Sequence, residues 1–276
     1  MEVICTEAPS LPPALPPPPA PLAHAHTPGL WAAAGLAVTY FALQVVASTV
    51  FALAMSVTAV FSHAGQSLDR AIPATFEQPA MQALLATFSL GIAAPLTLWL
   101  ARWKWPQLWS LPLPPGFGFA LPRNLQFLAL AVVAGLAAPL LGALLTQQLA
   151  HSHAVTQDIQ QLGGSTPLAL RLPLVLMVVS VGPLVEELLF RGVLLSALLQ
   201  RWNAGWAVAV SSLAFALIHL PGLQYQWYAL PALAGLALVL AWLRLRSGSI
   251  WPAVVAHSVN NLLAVAGWFV VINLPG

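Results

Sequence analysis

The chain is organised around long apolar runs that do not alternate with polar residues, and that feature removes most folds from consideration. The runs cover roughly residues 30–61, 80–101, 125–146, 167–190, 205–220, 229–243 and 250–273. A helix of about 20 apolar residues crosses the hydrocarbon core of a bilayer, since each residue adds about 1.5 Å. A membrane β-barrel would alternate apolar and polar positions, which these runs do not do. A water-soluble domain typically carries about 25% charged residues. Here only 6% are charged and 59% are hydrophobic, too few charges to coat a soluble surface. The expected fold is an all-α integral membrane protein, a bundle of about seven transmembrane helices.

Residues 1–29 form a Pro-rich tail around Pro16-Pro17-Pro18-Pro19, which is expected to be disordered because proline blocks helix and the tail has little to pack. Residues 30–276 read as one polytopic membrane domain. The fifth and sixth runs are short, as for helices that end inside the protein or in a locally thinned bilayer. Arg102, Lys104, Arg123, Arg201, Arg244 and Arg246 fall in connections that share one side if every run crosses. The positive-inside rule makes that side cytoplasmic, with the N-terminus on it. A polar stretch, 154–162, reads as a short interfacial helix on the other side. Basic residues are sparse and sit at the ends of apolar runs, so the expected partner is the lipid bilayer and not nucleic acid. The single cysteine, Cys5, excludes an internal disulfide and a cysteine-based metal cage.

Ionisable groups inside a membrane are costly and usually face a cavity or a partner. Besides Arg171 at the edge of the fourth run, they gather in Glu186, Glu187 and Arg191. Glu187 and Arg191 are four residues apart, which puts them on one helical face with the acid on the favourable side. Glu186 points about 100° away and lacks that counter-ion. It is the candidate base, a carboxyl free to accept and return a proton. His219, His257 and Asn261 are its candidate partners; Asn260 lies on nearly the same face as His257 and Asn261.

The depths can be compared along ideal helices. Glu186 lies 15 residues before a turn at residues 201–205 and His219 lies 14 after it, so both sit roughly 22 Å above that turn. His257 lies about ten residues past the turn near Ser247-Gly248, only roughly 15 Å in, and fits the pair less well. The residues alone leave several functions open. Buried Glu and His also build proton relays in transporters, although the two halves show no inverted repeat. A Glu–Glu–Arg cluster can also be a structural lock in a non-catalytic scaffold.

The three clusters together resemble the CPBP intramembrane protease family, also called the CAAX protease and bacteriocin-processing (Abi) family, which includes the type II CAAX prenyl proteases. The E-E-x-x-x-R motif matches Glu186, Glu187 and Arg191; F-x-x-x-H matches Phe215 and His219; H-x-x-x-N matches His257 and Asn261. The lead-in Ser247-Gly248-Ser249-Ile250-Trp251-Pro252 is similar to that of bacterial members, and the resemblance covers about residues 167–265. It implies an endopeptidase acting on a peptide or membrane-protein substrate, in what would be a bacterial inner membrane. By position, Glu186 and His219 would activate water, His257 and Asn261 would stabilise the oxyanion, and Glu187, Arg191 and Phe215 would support the site. A metal-free glutamate mechanism is favoured because no H-E-x-x-H pair is present. The alternative is zinc held by Glu186, His219 and His257.

Overall fold

The computed structural model describes residues 27–62, 67–151 and 158–270. The body of the Pro-rich tail, with Cys5, lies outside the described residues. So does half of the polar stretch read as an interfacial helix, whose remainder joins a helix at Asp158–Ser165.

Among the described residues the secondary structure is all helical. α1 (Leu30–Ser62), α2 (Leu68–Phe76), α3 (Pro79–Lys104) and α4 (Gln126–Ala150) make up the first half. α5 (Asp158–Ser165), α6 (Leu168–Leu199), α7 (Ala204–Ile218), α8 (Leu230–Ser247) and α9 (Trp251–Val270) make up the second. Five segments are long and apolar enough to cross a membrane: Leu30–Thr58, Pro79–Lys104, Gln126–Ala150, Leu168–Leu199 and Trp227–Ser247. α7 is apolar but shorter, and α9 is a further helix of 20 residues. The chain is an all-α integral membrane protein. Its outer surface is what a bilayer requires, with Val38, Val45, Leu53, Leu140 and Leu144 all exposed on α1 and α4.

Local chemistry sets the helix ends. α3 starts with Pro79, whose missing N–H costs nothing at a first turn, and closes with Arg102 and Lys104, where cations favour the C-terminal dipole. Asn203 caps α7, its Oδ1 accepting from the Trp206 N–H at 3.1 Å. α8 stops at Gly248, whose φ of 68° is the left-handed conformation that glycine adopts without penalty.

Contacts at the ends give the crossing pattern. Gln200, at the α6–α7 turn, donates to the Pro28 carbonyl just before α1. The Arg123 N–H donates to the Ser247 carbonyl, joining the α3–α4 and α8–α9 connections. At the opposite end Gln224 donates to Asp158, joining the α7–α8 loop to α5. Arg171, buried at the start of α6, donates to the carbonyls of Thr166, Gly164 and Trp268 and ties α5, α6 and the end of α9 together. Successive long helices therefore run in opposite directions, α6 packing against α1, α3, α7 and α9.

The segment from Trp105 to Arg123 is not a simple surface loop. Trp105, Leu108 and Phe117 are buried, and the segment wraps the α8–α9 turn. Arg244 donates to the carbonyls of Pro112 and Gly116, each at 2.6 Å; Ser249 donates to Ala120 O and Ile250 N to Gly118 O. Arg244, counted among the charges of a connection, is fully buried and holds backbone instead of facing water. Ser247, Ser249 and Ile250 are also fully buried, whereas Arg201, Trp202 and Asn203 are exposed. The α8–α9 turn thus lies beneath folded-back chain whereas the α6–α7 turn is exposed, so helix lengths counted from the two do not start from one common surface.

Candidate active site

The site begins with a defect in α6. Gly182-Pro183 sits inside an apolar run, and Pro183 has no N–H to give to the helix. The Gly182 N–H bonds to the Met177 carbonyl, five residues back, and residues Met177–Val181 form a π turn. The Val178 carbonyl is left without either of its helical donors. Asn261 supplies the replacement, its Nδ2 donating to Val178 O at 2.9 Å. Asn260 Nδ2 in turn donates to Asn261 Oδ1 at 3.1 Å. A one-residue irregularity in α6 therefore fixes the rotation and height of α9. Close packing on the other side does the same: a Cβ at Gly135 of α4 would meet the Ala256 carbonyl oxygen at 2.5 Å, so α4 reaches α9 only through glycine.

A second π stretch, Leu188–Leu194, follows the two glutamates and carries Arg191. Ser211 donates to the Phe190 carbonyl there, pinning α7 to α6 one turn before Phe215. Phe215 then stacks under Arg191, whose guanidinium carbon is 4.4 Å from the ring centre. The Phe215 ring also meets those of His219 at 4.7 Å and His257 at 5.6 Å. Phe215 is thus the floor on which the charged groups rest.

Glu187 and Arg191 are fully buried and pair at 3.0 Å. Arg191 also donates to the Ala237 carbonyl of α8 at 3.2 Å. The pair holds a third group: His257 Nδ1 lies 2.9 Å from the same Glu187 Oε1 that faces Arg191. Because the carboxylate accepts, the imidazole donates from Nδ1 and turns Nε2 toward Glu186. His219 is oriented by the same logic. Its Nδ1 lies 2.8 Å from the Phe215 carbonyl oxygen, which can only accept, so Nε2 is left for the cavity.

Both Nε2 atoms stand 3.8 Å from Glu186 Oε2. That is too long for a direct hydrogen bond and short enough for one water to bridge. Glu186 Oε2 has no hydrogen-bond partner among the described residues. The Glu186 side chain lines a cavity of about 1000 Å³ together with Phe215, His219, His257, Asn260 and Asn261 and apolar residues of α4 and α8. The seven motif residues are therefore brought together, although α6, α7 and α9 supply them from stretches far apart in sequence.

The donor types Glu186, His219 and His257, with both Nδ1 atoms anchored, are those of a zinc site. The spacing is not: among the described residues no group of three or more His, Cys, Asp or Glu side chains converges as a metal-ligand set.

Sequence reasoning missed the backbone partners. The Val178 and Ala237 carbonyls give no side-chain signal, though Gly182-Pro183 inside an apolar run marks the disrupted turn that exposes the first.

With the geometry in place, comparison with known proteins gives it a setting. Residues 168–263 match the family model described as Type II CAAX prenyl endopeptidase Rce1-like. Over this segment the chain is similar to that family. The matched segment contains every motif residue above. A candidate membrane peptidase of Bacillus subtilis (strain 168), YdiL, is 31% identical over 94 residues, covering 34% of this chain and 36% of that protein. The chain thus matches about a third of the relative's length. No solved structure matches it significantly.

Proposed function

We propose that the protein is an intramembrane endopeptidase that hydrolyses a peptide bond of a membrane-associated or lipidated substrate, with a glutamate-activated water as nucleophile. One observation carries the reading: an unpartnered Glu186 Oε2 lies 3.8 Å from two imidazole Nε2 atoms at the wall of a cavity inside a membrane bundle. The similarity of residues 168–263 to the type II CAAX prenyl endopeptidases supports it.

In this mechanism a water held between Glu186 Oε2 and His219 Nε2 gives its proton to Glu186 while its oxygen attacks the scissile carbonyl carbon. Negative charge develops on the carbonyl oxygen. His257, held at Nδ1 by Glu187, presents Nε2 to that oxyanion and donates to it in the imidazolium form. Asn261 has a second N–H available beside the one spent on Val178. Donors fixed in advance within a dry cavity stabilise such charge far better than water does. Glu186 then passes its proton to the leaving amine as the C–N bond breaks, which restores the starting state. The apolar walls contributed by α4 and α8 suit a substrate that arrives from the bilayer. The orientation we propose puts the end bearing Arg102, Lys104, Arg123, Arg201 and Arg246 in the cytoplasm of a bacterial inner membrane, with the N-terminus on that side.

The test uses the full chain in lipid vesicles, wild type and Glu186→Ala, each confirmed folded and incubated with a panel of membrane-anchored peptides. Cleavage by the wild type, falling about 10³-fold or more in the variant, is the expected result. Equal cleavage by both removes Glu186 from the reaction. A folded wild type that cleaves no member of a broad panel favours a scaffold of the same fold. Repeating the assay with a chelator addresses metal: activity lost and then restored by zinc overturns the metal-free mechanism.

A further inference from the structure

The two site histidines are not equally placed. The His257 side chain is 4% exposed and closed in by Glu187, Phe215 and Glu186, whereas the His219 side chain is 32% exposed. The reason lies in the fold: His257 sits within α9, while His219 stands just past the last turn of α7, where the chain leaves the bundle. His219 lines the cavity that holds Glu186, and it also lines a second cavity of about 730 Å³. Beside aliphatic residues such as Leu162 and Ile218, this second cavity is lined by the polar side chains of Gln82 of α3 and Asp158, Gln161 and Ser165 of α5, and by Gly222 of the α7–α8 loop, at the end of the bundle where Gln224 and Asp158 join the loop to α5. The catalytic motifs use none of these residues.

An intramembrane hydrolase has a supply problem: one reactant is water, and the cavity that suits an apolar substrate does not conduct it. We propose that the cavity lined by Gln82, Asp158, Gln161, Ser165 and Gly222 is the aqueous entrance of the site, delivering water to His219 while substrate occupies the cavity that holds Glu186. The claim that the delivered water is the nucleophile rests on the hydrolase reading; the claim that the entrance is wet does not. The amide, carboxylate and hydroxyl groups among its lining residues give water the polar partners that hold it in such a space. Ile159, His219, Leu223 and Leu233 line both spaces, and His219 is the polar group among them, which matches its place beside the attacking oxygen.

The single native cysteine makes the entrance open to test. In a Cys5→Ser background, Gly222→Cys adds a thiol where a Cβ meets nothing within 4 Å and no positive φ resists it. Leu236→Cys places the control thiol in the apolar cavity. Both variants in lipid vesicles are treated with a cationic thiosulfonate reagent. The thiol at position 222 is expected to react at least about tenfold faster than that at 236, since a charged reagent enters a wet cavity and not a dry one. Equal rates, or an inert position 222, overturn the entrance. The second arm measures peptide cleavage after labelling position 222 with a bulky thiosulfonate or with a methyl one. The bulky group is expected to lower kcat about tenfold with KM nearly unchanged, and the methyl group to leave both alone. Fast labelling with kcat unaffected by the bulky group overturns this cavity as the water route. If the unlabelled protein cleaves nothing, the proposed function fails while the labelling rates still decide whether the entrance is aqueous.

Discussion

Glu186 and Glu187 are neighbours in the chain, identical in chemistry and opposite in surroundings. Glu187 has no exposed surface, and its Oε1 is held by Arg191 on one side and His257 on the other, while its Oε2 has no hydrogen-bond partner among the described residues. Glu186 has no such pair: its Oε2 stands 3.8 Å from two imidazoles without a hydrogen bond, and the side chain, 21% exposed, lines a cavity. The 100° between consecutive helical positions is enough to separate the two. A buried charge is tolerated when its counter-ion is hydrogen-bonded beside it. Glu187 thereby becomes structural and leaves Glu186 with no such duty. The contrast teaches that the site does not set one carboxylate aside by burying it more deeply. It gives one oxygen of the neighbour two hydrogen-bond partners and leaves Glu186 Oε2 with none.

Paired isosteric changes break or keep this comparison most directly. Glu186→Gln is expected to lower turnover about 10³-fold or more and to shift stability by less than about 1 kcal/mol. Glu187→Gln leaves Arg191 buried without its charge partner, and a loss of about 3–5 kcal/mol is expected. Peptide cleavage and thermal unfolding in the same detergent read both. Should Glu186→Gln unfold the protein and Glu187→Gln spare it, the roles assigned to the two residues are reversed.

Removing both members of the dry pair sharpens the point. Glu187→Leu with Arg191→Leu leaves no orphaned charge, so the double variant is expected to be more stable than the sum of the single losses allows, with a coupling energy of about 2 kcal/mol. Activity should not follow stability back, because His257 Nδ1 has lost its acceptor and the ring is free to turn. Recovery of turnover with the double variant would show that Glu187 does nothing for the orientation of His257.

The support behind His257 is a smaller term. Asn261→Leu strips the part-buried Val178 carbonyl of its donor, and a loss of about 1 kcal/mol, the low end for an unsatisfied carbonyl, is expected. Thermal unfolding measures this, and turnover should fall with it as α9 loses its register against α6. An unchanged unfolding midpoint would mean that this contact does not set the height of His257.

How much of this was readable in advance differs between the two glutamates. The pairing of Glu187 with Arg191 follows from a spacing of four, a local property of any helix. Long apolar runs likewise announce the helices, because hydrocarbon thickness imposes a length on them. The surroundings of Glu186 are long-range and were only partly legible. Counting residues from turns brings His219 to its depth, because the α6–α7 turn is exposed and marks an end of the bundle. The same count misplaces His257, since the α8–α9 turn is buried under a segment anchored by Arg244, 128 to 132 residues away in sequence. Sequence distance carries no information about such a fold-back. Nor does a side-chain motif reveal that Glu187 serves His257 as well as Arg191, or that Asn261 answers a carbonyl.

Pro183 allows the last of these links to be tested, at the smallest expected effect. If the Val178 carbonyl is orphaned because residue 183 has no N–H, then Pro183→Ala returns a donor five residues along, in the register that a π turn uses. In the wild-type background Asn261 already occupies that carbonyl, so the substitution is expected to change stability by no more than about 0.5 kcal/mol. In the Asn261→Leu background the new N–H has an unsatisfied acceptor to meet, and about 1 kcal/mol should be recovered. The signature is therefore not the size of either change but the difference between them, read from the four proteins of the cycle by thermal unfolding. Equal effects in the two backgrounds would separate the π turn from Asn261. The register of α9, and with it the approach of His257 to Glu186, would then have to be set by the glycine contact at Gly135 alone.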